Sequence, residues 1–155
     1  MNSKVNEIVY SFNGGFYCSQ AILSAYSEEM GLDKDTARKI SCGMAAGIAR
    51  LGLTCGTVLG AYLVISLKYG NCQPDDKESL EKTFALIQEF DRRFTEKHDT
   101  TNCRELLGAD LRTGDADFVG RQVQKICPVL VKSAAEILED VLRNADEKGI
   151  KRRHG

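Results

Sequence analysis

Between Glu78 and Phe94, apolar side chains recur at steps of three and four residues: Leu80, Phe84, Ile87, Phe90 and Phe94. Such a period returns side chains to one face only in an α-helix, so the stretch predicts an amphipathic helix. Its other side, with Glu81, Lys82, Glu89, Arg92 and Arg93, is expected to meet water. A second stripe, Leu130, Ala134, Ile137, Val141 and Leu142, follows Pro128, a residue suited to a first helical turn. That helix is expected to end near Asn144. Upstream, Cys18 to Met30 reads as helix stopped by Gly31, and Asp33 or Asp35 is placed to cap a further helix through DTARKISCGMAAGIA.

Strand alternation is nearly absent, and 155 residues, 43% of them hydrophobic, suffice for one core. The expected fold is therefore all-α: a compact single-domain bundle of about five or six helices over residues 1–145, followed by a basic flexible tail over 146–155. Glycines fall at element ends or among small residues, as in GMAAG and GTVLGA, where two helices can approach closely.

Charge and hydropathy exclude several classes. A net charge of −1 leaves no broad phosphate-binding face, so nucleic acid is not an expected partner, and the one basic run, KGIKRRHG, is a short solvated tail. The apolar run Val58 to Leu67 is half the ~20 residues a membrane span needs and is closed by Lys68, which predicts a helix buried by its neighbours. The opening residues MNSKVNEIVYSF have neither the basic-then-apolar layout of a secretory leader nor twin arginines, and the expected location is cytoplasmic.

In such a compartment six cysteines are expected as thiols rather than stable disulfides. A free cysteine usually packs as a small hydrophobe, so position has to separate structural thiols from chemical ones. Cys18 opens CSQAILSAY, Cys55 opens CGTVLGAYL, Cys103 follows Asn102 and opens CRELLG, and Cys127 precedes Pro128. All four are thereby expected at helix N-termini, where unpaired N–H groups and the helix dipole favour a thiolate and lower its pKa. Gly56 leaves room beside Cys55 for a bulky ligand or a second backbone. None of the four belongs to a C-x-x-C pair, so any shared site has to be assembled by the fold. Cys42 is expected to pack mid-helix, and Cys72, in YGNCQPDD, to be exposed.

These segments also resemble a known family. GFYCSQAIL, GMAAGIARLGLTCGTVLGAYLVISLKYG, NCRELLG and CPVLVKSAAEIL are similar, in order and in context, to the redox-active proteins named for their C_GCAxxG_C_C pattern, over roughly Gly15 to Leu142. The resemblance implies a small prokaryotic protein whose four hallmark cysteines carry a prosthetic group such as an iron–sulfur cluster. Carried over, the hallmark positions are Cys18, Cys55 with Gly56, Cys103 and Cys127. The chain departs from the pattern at Thr57, where the signature more often has alanine, and in its extra Cys42 and Cys72.

The leading expectation is a four-cysteine centre that binds an iron–sulfur cluster and exchanges electrons with a partner oxidoreductase, making the chain an electron-transfer or accessory redox protein rather than a stand-alone enzyme. Two alternatives stand beside it: a thiol–disulfide protein, with Arg104 helping to hold a thiolate at Cys103, and a structural zinc site closed by four cysteines. A homodimer is compatible with a small helical protein of this kind. Arg50 is placed either to approach Cys55 or to serve on the surface. His98 complements a helix C-terminus, and His154 lies in the tail. No nucleophile, base and orienting group form a set.

Overall fold

The computed structural model describes residues 2–153, and side chains up to residue 149; His154 lies outside the described residues. The backbone forms seven right-handed α-helices among the described residues: α1 Val5–Asn13, α2 Cys18–Ser27, α3 Lys34–Cys42, α4 Gly56–Tyr69, α5 Lys77–His98, α6 Cys103–Leu107 and α7 Ala116–Arg153. The fold is all-α as expected, with slightly more helices than five or six because the short α6 and the N-terminal α1 stand on their own.

Local chemistry explains most of the boundaries. Asp33 caps α3 by accepting the Thr36 N–H at 2.9 Å, Asp76 caps α5 through Ser79 at 3.0 Å, and Asn102 caps α6 through Glu105 at 3.0 Å. A 3-10 turn, Glu28–Met30, extends α2 until Gly31, whose φ of 82° ends it in the left-handed conformation.

Helix α2 packs chiefly on α4 and α3, α1 lies along α7, and α5 bridges α4 and α7. Their facing sides bury Ile22, Tyr26, Val58, Val64, Ile65, Phe90, Phe94, Leu138 and Leu142 in one core. Gly60 allows the α2–α4 contact, since a Cβ there would stand 3.1 Å from Ile22 Cβ and the Ser19 carbonyl oxygen. The α5 stripe is rotated from the expected one: Phe84 is 51% exposed while Thr83 is buried, its hydroxyl satisfied by the Ser79 carbonyl at 2.8 Å. Helix α4 is the buried helix that the Val58–Leu67 run predicts. No helix among the described residues is long and apolar enough to cross a membrane.

Three expectations are corrected here. Cys127 is not at a helix N-terminus: α7 begins at Ala116, with Asp115 accepting the Phe118 N–H at 2.9 Å, and Pro128 lies inside it. The helix tolerates the ring because long flanking stretches carry the backbone across the one missing N–H. It also continues past Asn144 through Arg153. Second, DTARKISCGMAAGIA is not one helix. Helix α3 stops at Cys42, and from Ala46 to Arg50 five consecutive residues have positive φ, at 57°, 65°, 63°, 51° and 66°. Third, Cys42 does not pack in a helix middle; it is the exposed last residue of α3.

Candidate functional site

The left-handed stretch is locally costly, since every residue in it except Gly47 carries a Cβ that disfavours positive φ by about 1 kcal/mol or more. It is held by its own hydrogen bonds, from Arg50 N–H to the Ala46 carbonyl at 3.0 Å and from Leu53 N–H to the Gly47 carbonyl at 3.0 Å. This folds LGLT back against the loop that precedes α6. There Thr54 and Asn102 form an isolated antiparallel bridge. The Cys55 N–H donates to the Thr101 carbonyl at 2.8 Å, and the Cys103 N–H to the Leu53 carbonyl at 2.6 Å. Two cysteines nearly fifty positions apart in sequence are thereby fixed side by side by their own backbone amides.

Cys18 enters from the start of α2. Its preceding turn is fixed by Gln20, whose side chain accepts the Tyr17 N–H at 3.1 Å and donates to the Arg38 carbonyl at 3.2 Å. The sulfur of Cys18 lies against Gly56: a Cβ at that position would stand 2.6 Å from Cys18 Sγ and 2.9 Å from the Met44 carbonyl oxygen. Gly47 does the same for Cys103, whose Cβ would be 2.6 Å from a Cβ at 47. The two glycines are where sulfur-bearing residues meet backbone: the room expected beside Cys55 at Gly56 is filled by the Cys18 sulfur and the Met44 backbone, and Gly47 carries no expectation of a cysteine from the sequence. Cys127 comes from the middle of α7, and Gln122 on the same helix ties it to α6 by donating to the Leu107 carbonyl at 2.7 Å.

Cys18, Cys55, Cys103 and Cys127 all line one cavity of about 320 Å³. Its remaining wall is largely apolar, including Phe12, Phe16, Leu106, Leu107, Val123 and Leu130. Three of the four cysteines reach it from helix starts, Cys18 and Cys103 as first helical residues and Cys55 as the residue before α4. Cys42 and Cys72 are exposed and do not line it. Neither does His98, the last residue of α5, whose ring lies tilted against Phe94 with centroids 4.6 Å apart and pairs with the Ser133 hydroxyl at 2.7 Å. Arg104 does not line the cavity and pairs with Asp110 at 3.0 Å, while the exposed Arg50 does line it.

At Cys55, Cys103 and Cys127 the electrostatics reverse the sequence expectation of lowered thiol pKa values. Burial pushes the Cys103 thiol up to about 12, and a thiolate at Cys55 or Cys18 would push it the same way. Cys127 is likewise pushed up to about 12 by burial, with further contributions from Cys18, Cys55 and Cys103. Cys55 is raised by burial and by Cys18, against the opposing pull of the Thr57 hydroxyl and the Thr57 and Val58 amides. Helix starts do favour the anion, as the α4 amides show at Cys55, but desolvation in an apolar cavity is the larger effect. The mutual influence of the sulfurs follows from the one cavity they line. Thr57, a departure from the usual signature residue, thus has a role beside Cys55 that the sequence did not disclose.

All-sulfur donors are a soft set, suited to iron–sulfur clusters, zinc or copper(I). A single zinc ion at ~2.3 Å from each sulfur would require the four within about 4 Å of one another. No group of three or more His, Cys, Asp or Glu side chains among the described residues is arranged to hold one metal ion as it stands. The four cysteines share the lining of one cavity, and their soft donor chemistry is that of the centres named above.

Fold and site together define a small all-α protein built around a four-cysteine cavity. The chain belongs to the C_GCAxxG_C_C family, described as putative redox-active proteins, which it matches over residues 16–141. No curated protein and no solved structure matches it.

Proposed function

We propose that the cavity holds an iron–sulfur cluster through Cys18, Cys55, Cys103 and Cys127, and that the protein passes electrons between this centre and a partner oxidoreductase. The observation that carries the reading is the gathering of all four hallmark cysteines, from four separate helices, around one largely apolar cavity. A bound cluster supplies reversible one-electron chemistry. The chain's own residues supply the rest. Four thiols lose their protons on binding, at a cost set by the burial that raises Cys103 and Cys127. The Thr57 hydroxyl and the first amides of α4 direct positive ends at the Cys55 sulfur, which favours the more reduced, more negative state. Apolar walls limit the water that reaches the sulfurs.

A second reading draws on Cys18 and Cys55 alone. Cys18 is the thiol that most raises Cys55 and lies directly over Gly56, next to it in sequence. Two thiols there can pass two electrons to a disulfide substrate, forming their own disulfide, while two protons and two electrons convert that substrate to two thiols.

The visible spectrum and the iron, sulfide and zinc content of protein purified without oxygen separate the readings. The expected result is a brown protein with iron and sulfide in whole-number ratio to chain. Colourless, metal-free protein whose Cys18 and Cys55 resist alkylation until reduced would replace it with the thiol–disulfide reading.

A further inference from the structure

The cavity wall holds one residue that neither apolar packing nor thiol chemistry requires. Apart from the cysteines and Tyr17, Arg50 is the only residue with an ionisable side chain that lines it among the described residues. Arg50 takes part in no ion pair among the described residues. The neighbouring Arg104 is neutralised by Asp110. Arg50 is also the last of the five positive-φ residues, itself at 66°, so a strained segment places this exposed arginine among the residues that line a thiol-bearing cavity. A neutral apolar guest has no use for such a cation, and a bare metal cation would be repelled by it.

We infer that the cavity is built to take an anionic guest and that Arg50 is the residue that recognises its charge. This rests on the same site as the proposed function and extends it. Two guests share the required chemistry: a metal centre bound by four thiolates, which carries net negative charge, and a small organic anion presenting a disulfide or similar atom to the sulfurs. Because Arg50 is exposed, its effect is that of a screened charge, about fivefold at low ionic strength and shrinking as salt is added.

The test has two arms, both in a Cys42→Ser, Cys72→Ser background that removes the exposed thiols. In the first, metal-free reduced protein reacts with a dianionic disulfide, 5,5′-dithiobis(2-nitrobenzoate), and with a neutral one, 2,2′-dithiodipyridine. In each case a cavity thiolate attacks one sulfur, a mixed disulfide forms, the aromatic thiolate leaves, and the cysteine's proton goes to solvent. Arg50→Gln is expected to slow the anionic probe about fivefold at low salt and leave the neutral probe unchanged, with Arg50→Lys restoring the rate. In the second, protein reconstituted with iron and sulfide is challenged with a chelator, and Arg50→Gln is expected to lose iron about fivefold faster.

Effects in both arms support a site that accepts either guest. An effect in the first arm, in protein that never retains iron and sulfide, supports the inference with an organic anion as guest while the cluster reading fails. An effect confined to the second supports it with the metal centre as guest. The inference is overturned if Arg50→Gln changes neither arm, or if it slows both disulfides equally, which would mark Arg50 as a packing residue.

Discussion

The two ends of this bundle are built on opposite principles. At one end α2, α4, α5 and α7 meet through Tyr26, Val64, Phe90, Phe94 and Leu138, all buried in regular right-handed helices. Phe90 and Phe94 stack with centroids 6.1 Å apart, and Tyr62 meets Phe90 edge-on at 6.0 Å while its hydroxyl donates to Asp91 at 2.5 Å. Each local choice there agrees with the fold. At the other end lie five positive-φ residues, a proline inside a helix, two glycines pressed by sulfur-bearing residues, and an open cavity. Local features that lower stability are concentrated where the four thiols gather. A region that departs from efficient packing in several independent ways, around one set of reactive side chains, is the candidate functional site.

The contrast predicts that the two ends fail differently when altered. At the packed end, Phe90→Ala or Phe94→Ala should cost about 3–5 kcal/mol in chemical denaturation, while protein that remains folded keeps its capacity to load iron and sulfide. At the thiol end, Gly56→Ala should cost about 1–3 kcal/mol, because the new methyl group meets the Met44 carbonyl and the Cys18 sulfur. Loading should be lost with it, out of proportion to the stability change. A normal iron content in Gly56→Ala would break the comparison.

Smaller effects sharpen it. Ala49→Gly, at φ 51°, should stabilise the protein by about 0.5–1 kcal/mol, since relief of left-handed strain exceeds the added chain entropy. The same change in the regular helix α2, at Ala21, should destabilise by a similar amount. The smallest effect concerns pH. Burial holds the His98 pKa below its ordinary value, so the folded state prefers neutral imidazole beside Ser133. A depressed folded pKa means that stability is present above the unfolded value near 6.5 and is lost as pH falls through it toward the folded pKa. Melting curves between pH 7.5 and 5 should therefore show a smaller acid loss in His98→Asn than in the parent.

Much of the packed end was legible in the sequence because period and capping are local. The stripe carrying Phe90 and Phe94, the Asp33 cap and the Gly31 stop each state their structure within a few residues. The four cavity cysteines were also legible, through helix starts at Cys18, Cys55 and Cys103 and through the family pattern. What the sequence hid is non-local or contrary to propensity. Alanines at 46 and 49 and an isoleucine at 48 read as helix, and their left-handed backbone rests on hydrogen bonds within the segment together with the tertiary bridge between Thr54 and Asn102 that follows it. Pro128 resembles a helix start in isolation, and its place inside α7 depends on the turns that precede it. The raised thiol pKa values follow from burial, which no local spacing announces.

The most direct measurement is the iron and sulfide content of anaerobically purified protein across six single variants: Cys18→Ser, Cys55→Ser, Cys103→Ser, Cys127→Ser, Cys42→Ser and Cys72→Ser. The account predicts that each of the first four abolishes or sharply lowers both, while Cys42→Ser and Cys72→Ser retain the parent content. Full iron and sulfide in any of the first four, or their loss in Cys42→Ser or Cys72→Ser, would contradict a centre held by the four cavity cysteines together.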